Sequence, residues 1–412
     1  MEKIIKKNKK CRICFSRNLQ KVLTYPSTPI GDEFKLNKYE KQPLYPIELN
    51  LCSNCGLSQL LHVINPKVLY SKYIYKTSDS PGLKNHFNEL CSHVLKKYNL
   101  KEKSNILDIG SNDGVLLNAF KKKGFNVVGI EPAKKLVKIA NNLGIKTYEG
   151  FLNRKITYKV ILKEKKFDLI FSNNVLANVN DINEWVSNIK ILLNSNGLYI
   201  FETYYLLDLI KNSVFDFIYH EHLSSFAVKP LYYLFKKFGL DLFYVENIKT
   251  KGGSIRCYVR HGKFNDRVSN NVNRFIKNEI KNKIFNQKTF KIFHNKINKL
   301  KMCTNQEVKN LHKCNKKIIG YGASISCVTL MYHFQINNYL DYLVDDNKTK
   351  INTYSPGQKI KVISFKDLLN IDFDVMIILA WRFSDTILSK IRKIYKNKIV
   401  ILPCPSFKII RL

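Results

Sequence analysis

The chain has 412 residues, of which 45% are hydrophobic and 12% aromatic, enough for about two to four folded domains and too apolar for a disordered chain. No apolar run reaches the ~18 residues of a membrane-spanning helix, so none is expected. Sixty-nine Lys and Arg against 32 Asp and Glu give a formal charge of +37, a field that attracts phosphates. The excess is mostly Lys and is spread over the whole length rather than gathered on one helix. It therefore suits a diphosphate substrate as well as RNA, and nucleic acid is not the expected partner.

The first residues, MEKIIKKNKK, are basic but lack the apolar stretch of a signal peptide, which leads to the expectation of a cytoplasmic protein. Two C-x2-C pairs follow, Cys11–Cys14 in CRIC and Cys52–Cys55 in CSNCG, with 37 residues between them. Each such turn aims two thiolates at one point, and two turns complete a tetrahedral zinc site. With all four positions filled by cysteine no position is left for a substrate, so the expected zinc is structural. The other six cysteines are expected to be free thiols, mostly buried.

NILDIGSNDGVLLNAF has the grammar of strand, glycine turn and helix. Ile106–Ile109 form the expected strand, Gly110 and Gly114 permit a close approach of backbone to ligand, and Val115–Phe120 begin a helix. Glu131 ends the next strand, VVGIEPA, 17 residues after Gly114, where a carboxylate suits the two hydroxyls of a ribose. The spelling is D-x-G-x-x-x-G, starting at Asp108, rather than G-x-G-x-x-G. It favours S-adenosylmethionine (SAM) over NAD. Asp108, Gly110, Asn112, Gly114 and Glu131 are the expected cofactor residues, joined by Asn173 at the polar end of a third strand in KFDLIFSNNVLANVND.

FDFIYHEHLSSF places Tyr219, His220, Glu221 and His222 side by side among Phe215, Phe217, Ile218, Leu223 and Phe226. Taken alone, the stretch is either a polar turn with satisfied histidines or a set of acid–base groups. Beyond it, residues 263–313 are rich in Lys and Asn, and FKIFHNKINKLKMC has the spacing of an exposed amphipathic connector helix. KKIIGYGASISCVTLM then repeats the strand–glycine–helix grammar, and YLVDDN, DVMIILAW and KIVILPCP supply further short strands of a second α/β unit. The loop Gly320-Tyr321-Gly322-Ala323 tops its first strand, where open sheets bind ligands.

Together CRIC…CSNCGLSQL, DIGSNDG, NNVLANVND, FDFIYHEHLSSF, KGGSIRCYV, GYGA and LAWRF resemble the C-methyltransferases that act on nucleotide-linked keto-sugars. The resemblance covers nearly the whole chain. It implies an α/β protein: a class I SAM methyltransferase domain of Rossmann-like fold flanked by a small zinc domain and a C-terminal Rossmann-like domain. The expected divisions are residues 1–70, 71–262 and 263–412. By the same resemblance His222 is the general base, Tyr219 and Glu221 assist it, Asn174 meets the substrate, and a tyrosine of YSKYIYKTSDS, Tyr75, approaches it. Lys251 and Tyr321 complete the expected substrate contacts. The chain departs from the family pattern at Asn178 and Lys251, where the family has His, and at Ser326-Cys327, where it often has Lys-Gly. The implied partner is a nucleotide-diphosphate sugar, and the protein is expected to be a monomer or weak dimer. The rival readings are an O- or N-methyltransferase of a small metabolite, an RNA methyltransferase, and a non-catalytic SAM-binding protein.

Overall fold

A computed structural model describes residues 4–70, 73, 75–262 and 268–412. The expected divisions at residues 71 and 263 fall on positions outside that description. None of the helices among the described residues is long and apolar enough to cross a membrane.

The N-terminal part contributes five strands: β1 (Ile5–Lys7), β2 (Leu19–Thr28), β3 (Tyr45–Cys52), β4 (Ser58–Leu60) and β5 (His62–Ile64). β1 pairs with β5, while β2, β3 and β4 form an antiparallel meander.

The central sheet holds β6 (Asn105–Ile109), β7 (Asn126–Glu131), β8 (Lys146–Glu149), β9 (Phe167–Asn173) and β10 (Leu193–Tyr204). A two-residue strand, β11 (Ser224–Ser225), interrupts the series before β12 (Leu240–Ile248) and β13 (Ser254–His261). The spatial order is β12-β13-β10-β9-β6-β7-β8, with β6 to β10 parallel and β13 antiparallel to both neighbours. Ile106 to Ile109 are all buried, as expected of a parallel strand covered by helices on both faces. The chain runs outward from β6 through β7 to β8 and then returns to β9 on the other side. The carboxyl ends of β6 and β9 therefore flank the topological switch point where such sheets bind ligands. The short strand β8 carries no apolar run and was not among the strands expected from the sequence.

β11 does not join the central sheet. It extends the zinc-domain sheet, Ser224 pairing with Gln59 and Ser225 with Ser58. The C-terminal sheet comprises β14 (Ile318–Tyr321), β15 (Tyr342–Val344), β16 (Lys361–Ile363), β17 (Val375–Ile378), β18 (Ile399–Leu402) and β19 (Lys408–Arg411). Its order is β16-β15-β14-β17-β18-β19, with only β19 antiparallel.

The helix expected as an exposed connector spans Gln287–Lys313, and the structure corrects that description. Phe290, Phe293, Ile297, Leu300 and Val308 are buried, and the helix packs on β2 and on helix Ile325–Phe334. It is a spine between the zinc sheet and the C-terminal sheet. Ile47, Phe215, Phe226, Phe334 and Leu379, drawn from all three parts, belong to one apolar cluster.

His333 lies in that cluster, its ring 4.3 Å from Tyr25 and 5.4 Å from Phe215. Neither ring nitrogen has a partner among the described residues. Burial, with Lys301 and His294 adding to it, pushes the imidazole down to about 3. The unfolded chain then binds a proton below the ordinary histidine range that the folded chain refuses, so this residue costs stability as pH falls below about 6.5. A His333→Leu chain should therefore gain about 2 kcal/mol relative to wild type on going from pH 7.5 to pH 5, in paired urea titrations. Equal differences at the two pH values would show that His333 is not held neutral.

Candidate active site

Three groups of residues meet at the carboxyl end of the central sheet. The first lies in the zinc domain. The Sγ atoms of Cys11, Cys14, Cys52 and Cys55 all fall within 4.8 Å of one another. Cys11 and Cys55 are 3.5 Å apart, as are Cys14 and Cys52. Four thiolates ~2.3 Å from a common centre require close to this spacing, so the set fits a zinc ion and leaves it no open position. Arg12, between two of the ligands, is buried and sends Nη1 to the carbonyls of Leu60 and Leu223. The zinc knuckle thus holds the backbone immediately after His222. The sequence signals this role only through the position of Arg12 inside CRIC.

The second group is the glycine loop. Gly110 and Gly114 take left-handed φ values of +74° and +81°. Asn112 is also left-handed, and its N–H donates to Glu131 Oε2 (2.9 Å) while Ala133 N–H donates to Oε1 (2.9 Å). Burial raises the Glu131 carboxyl, and these two N–H groups pull it back. Asp108 is buried beneath the loop, and its carboxyl is pushed well up by desolvation and by Glu131. The Asn112 side chain is turned to the segment that covers the loop: Oδ1 accepts from Thr77 N–H and Nδ2 donates to the Tyr75 carbonyl. Asp113 Oδ2 accepts from Ser78 N–H in the same way. Asn173 ends β9 with both amide atoms buried and unpartnered among the described residues, as are Ser111 Oγ and Asp113 Oδ1. Buried polar atoms without partners are rare in finished cores. Here they lie in the glycine loop and at the end of β9, and fit a polar cofactor such as SAM.

The third group is the segment around His222. The Phe217 carbonyl lies 2.8 Å from His222 Nδ1. A carbonyl only accepts, so Nδ1 carries the proton and Nε2 is the free base; it accepts from the Tyr219 hydroxyl at 3.0 Å. Tyr219 stacks on the imidazole at 4.1 Å and Tyr204 lies against it at 4.7 Å. Burial, followed by the Lys251 charge, pushes His222 down to about 3, with the Phe217 carbonyl opposing. Glu221 moves the other way, up to about 8, through burial and then Asp32, against Lys350 and Lys251. His220 is committed elsewhere, with Nε2 3.2 Å from the Tyr45 carbonyl.

The strand register joins these groups. Asn173 on β9 pairs with Glu202 on β10, and Asn174 donates its N–H to the Glu202 carbonyl. Tyr204, which packs on His222, is two residues further along β10 and so on the same face as Glu202. Glu202 is itself occupied by His86 (2.8 Å) and Arg256 (2.8 Å). Lys251 is left-handed at φ +56°, and burial pulls its ammonium down to about 8 against Glu202 and Glu221. Asn178 and Tyr70 face each other, and neither Asn178 Oδ1 nor the Tyr70 hydroxyl, both buried, has a well-formed hydrogen bond among the described residues. Tyr75 sits at the glycine loop, whereas Tyr70 and Tyr73 are the tyrosines of that region that feel the Glu221 charge.

Tyr321 is not brought to this cluster. Its hydroxyl donates to Asp346 Oδ2 and accepts from Lys390, and its ring packs with Phe365 in a separate apolar cluster. Three residues to which the sequence reading gave no role, Asp216, Trp381 and Arg382, link the His222 segment to the C-terminal sheet. Trp381 Nε1 donates to Asp216 at 3.0 Å and Arg382 at 2.8 Å. Their motifs, FDFIYHEHLSSF and LAWRF, stand out in the sequence, but nothing there connects them.

Three family models match the chain in series. That of a zinc binding domain covers residues 11–70, a methyltransferase domain 83–245, and a C-methyltransferase C-terminal domain 249–405. The chain is 26% identical over 417 residues to C-methyltransferase NovU of Streptomyces niveus, covering 100% of this chain and 99% of that protein. It is 33% identical over 124 residues to the ubiquinone biosynthesis O-methyltransferase of Pelagibacter ubique, covering 29% of this chain and 48% of that one. Among solved structures it resembles the PH0226 protein of Pyrococcus horikoshii OT3, with 15% identity, a TM-score of 0.37, and coverage of 45% of this chain and 94% of that one. The fold and the matched domains define a SAM-dependent methyltransferase of class I with a structural zinc site. By the series of matched domains and the end-to-end match, the chain is similar over its whole length to a C-methyltransferase.

Glu131→Ala should weaken SAM binding by ~1 to 3 kcal/mol, the range for losing hydrogen bonds to a charged group. Titration calorimetry should read this as roughly a 5- to 150-fold rise in Kd. An unchanged Kd would mean that the carboxylate only shapes its own loop.

Proposed function

We propose that the protein methylates a carbon next to the ketone of a nucleotide-diphosphate-linked keto-sugar, with His222 as the base that removes the C–H proton. The observation that carries this reading is the tautomer of His222: Nδ1–H is tied to the Phe217 carbonyl and Nε2 is unprotonated. His222 and Glu221 are displaced in opposite directions, a pattern that separates base from acid. The Tyr219 hydroxyl lies on Nε2. On substrate entry its hydroxyl turns from Nε2 to the ketone oxygen, and the protonated Glu221 carboxyl supports the same oxygen as it gains charge. Burial and the charge of Lys251 lower the basicity of His222. A bound diphosphate, and then the enolate, bring the negative charge that raises it.

The bound SAM supplies the methyl group. Asn173 and Glu131 hold the cofactor, Asn174 and Lys251 line the substrate side, and Tyr75 approaches the substrate from the segment that covers the glycine loop. The division into residues 1–70, 71–262 and 263–412 is part of the same reading, and β11 is the piece of the middle part lent to the first. The test is solvent-deuterium exchange by the wild-type protein across a panel of nucleotide-diphosphate keto-sugars. The expected result is deuterium next to the ketone without a methyl donor, and a C-methyl product with one. Methylation at oxygen without exchange, or of RNA with a steep salt dependence, would replace this reading.

A further inference from the structure

Asp216 is completely buried and has no role in the chemistry described above. It lies in the short turn Phe215–Phe217, and both its carboxylate oxygens are taken by Arg382 Nη1 at 2.8 Å, with Trp381 Nε1 also on Oδ2. Arg382 Nη2 donates to Ser326 Oγ (2.8 Å), and the guanidinium lies 4.4 Å from the Phe217 ring. Trp381 and Arg382 belong to the turn Trp381–Phe383 that follows β17 of the C-terminal sheet. A buried ion pair is a poor source of stability, because desolvation offsets most of the attraction. What it provides is geometry. Phe217, the residue next to Asp216, supplies the carbonyl that holds His222 Nδ1–H.

The other end of the segment is fixed independently. Arg12 and Leu60 N–H both donate to the Leu223 carbonyl, and Ser224–Ser225 form an edge strand of the zinc sheet. The Asp216 end is held by the C-terminal domain. We propose that Asp216, gripped by Trp381 and Arg382, is a positioning residue that sets the Phe217 carbonyl and thereby the Nδ1–H tautomer of His222. Docking of the C-terminal domain then decides which nitrogen of His222 faces the substrate. This inference rests on the reading of His222 as the base, so its test includes a readout that does not depend on turnover.

The full chain, labelled with 15N-histidine, is compared by long-range 1H–15N spectra as wild type and as Asp216→Asn. The His222 signals are identified by their loss in His222→Asn. Wild type should show Nδ1 protonated and Nε2 bare. Asp216→Asn should give a mixture of tautomers, with turnover lowered by up to about 10²-fold, the scale of a small misplacement, and SAM affinity unchanged. Arg382→Lys, which keeps the charge but loses the fork, should move both readouts in the same direction by less, and it serves as the deciding variant if Asp216→Asn does not fold. A His222 that keeps the wild-type tautomer in the deciding variant overturns the proposal, whatever happens to turnover. A His222→Asn chain with wild-type turnover would instead remove the base assignment, and the tautomer spectra would still judge the hold by Asp216.

Discussion

His222→Asn should slow methyl transfer by ~10² to 10⁴, the usual contribution of a general base. Solvent-deuterium exchange at the substrate carbon should fall by the same factor, because exchange needs the base and not the methyl donor. Asn suits this test because its amide N–H can still reach the Phe217 carbonyl that His222 Nδ1 occupies at 2.8 Å. The buried carbonyl stays satisfied, and SAM affinity and melting temperature should remain near wild type. The cost is thus confined to Nε2, the atom facing Tyr219. A variant that exchanges and methylates at the wild-type rate would take the base role from His222 and pass it to another group in the cluster, with Glu221 the first to examine.

Removing zinc, or replacing Cys52 with Ser, should have the largest effect on stability. Structural zinc binding is worth ~10 to 16 kcal/mol in small sites, on the order of the whole stability of a domain. About one zinc per chain should copurify, and Cys52→Ser should lower both the zinc content and the melting temperature. Activity should fall as well, and not only through unfolding of a distant domain. The same knuckle sends Arg12 to the Leu223 carbonyl, and the same sheet takes up Ser224 and Ser225, next to His222. Chelated protein should therefore lose exchange activity in step with its zinc and recover it when zinc is restored. Fully active protein with less than a tenth of an ion per chain would show that the four thiols hold the fold without metal.

Much of the site was legible because its chemistry is written in short contiguous runs. A C-x2-C turn aims two thiolates with few residues, and Asp108 to Gly114 with Glu131 form one strand–turn–helix–strand unit. Both arise from local backbone geometry, and residue order alone specifies them. The proximity of Tyr219, Glu221 and His222 in sequence was equally plain. Their roles were not, because which side chain faces the Phe217 carbonyl and which faces Lys251 depends on the backbone of one irregular turn. The helix Gln287–Lys313 was recognisable by its spacing, but its buried face was not, since the spacing does not say what packs against it.

How the three parts meet depends on packing between distant elements. Asp216 and Arg382 are 166 residues apart, and Arg12 and Leu223 are 211 apart. No local propensity couples such positions; they meet because the sheets and the long helix bring them together. The same holds for charge. His222, Glu221 and His333 have ordinary side chains in the sequence, and their displaced acidities come from burial and from neighbours on other elements. Residue order specifies which chemical groups are present and the local turns that hold them. The packing of distant elements decided their protonation, orientation and partners, because desolvation and hydrogen bonding depend on what surrounds a group in space rather than on what adjoins it in the chain.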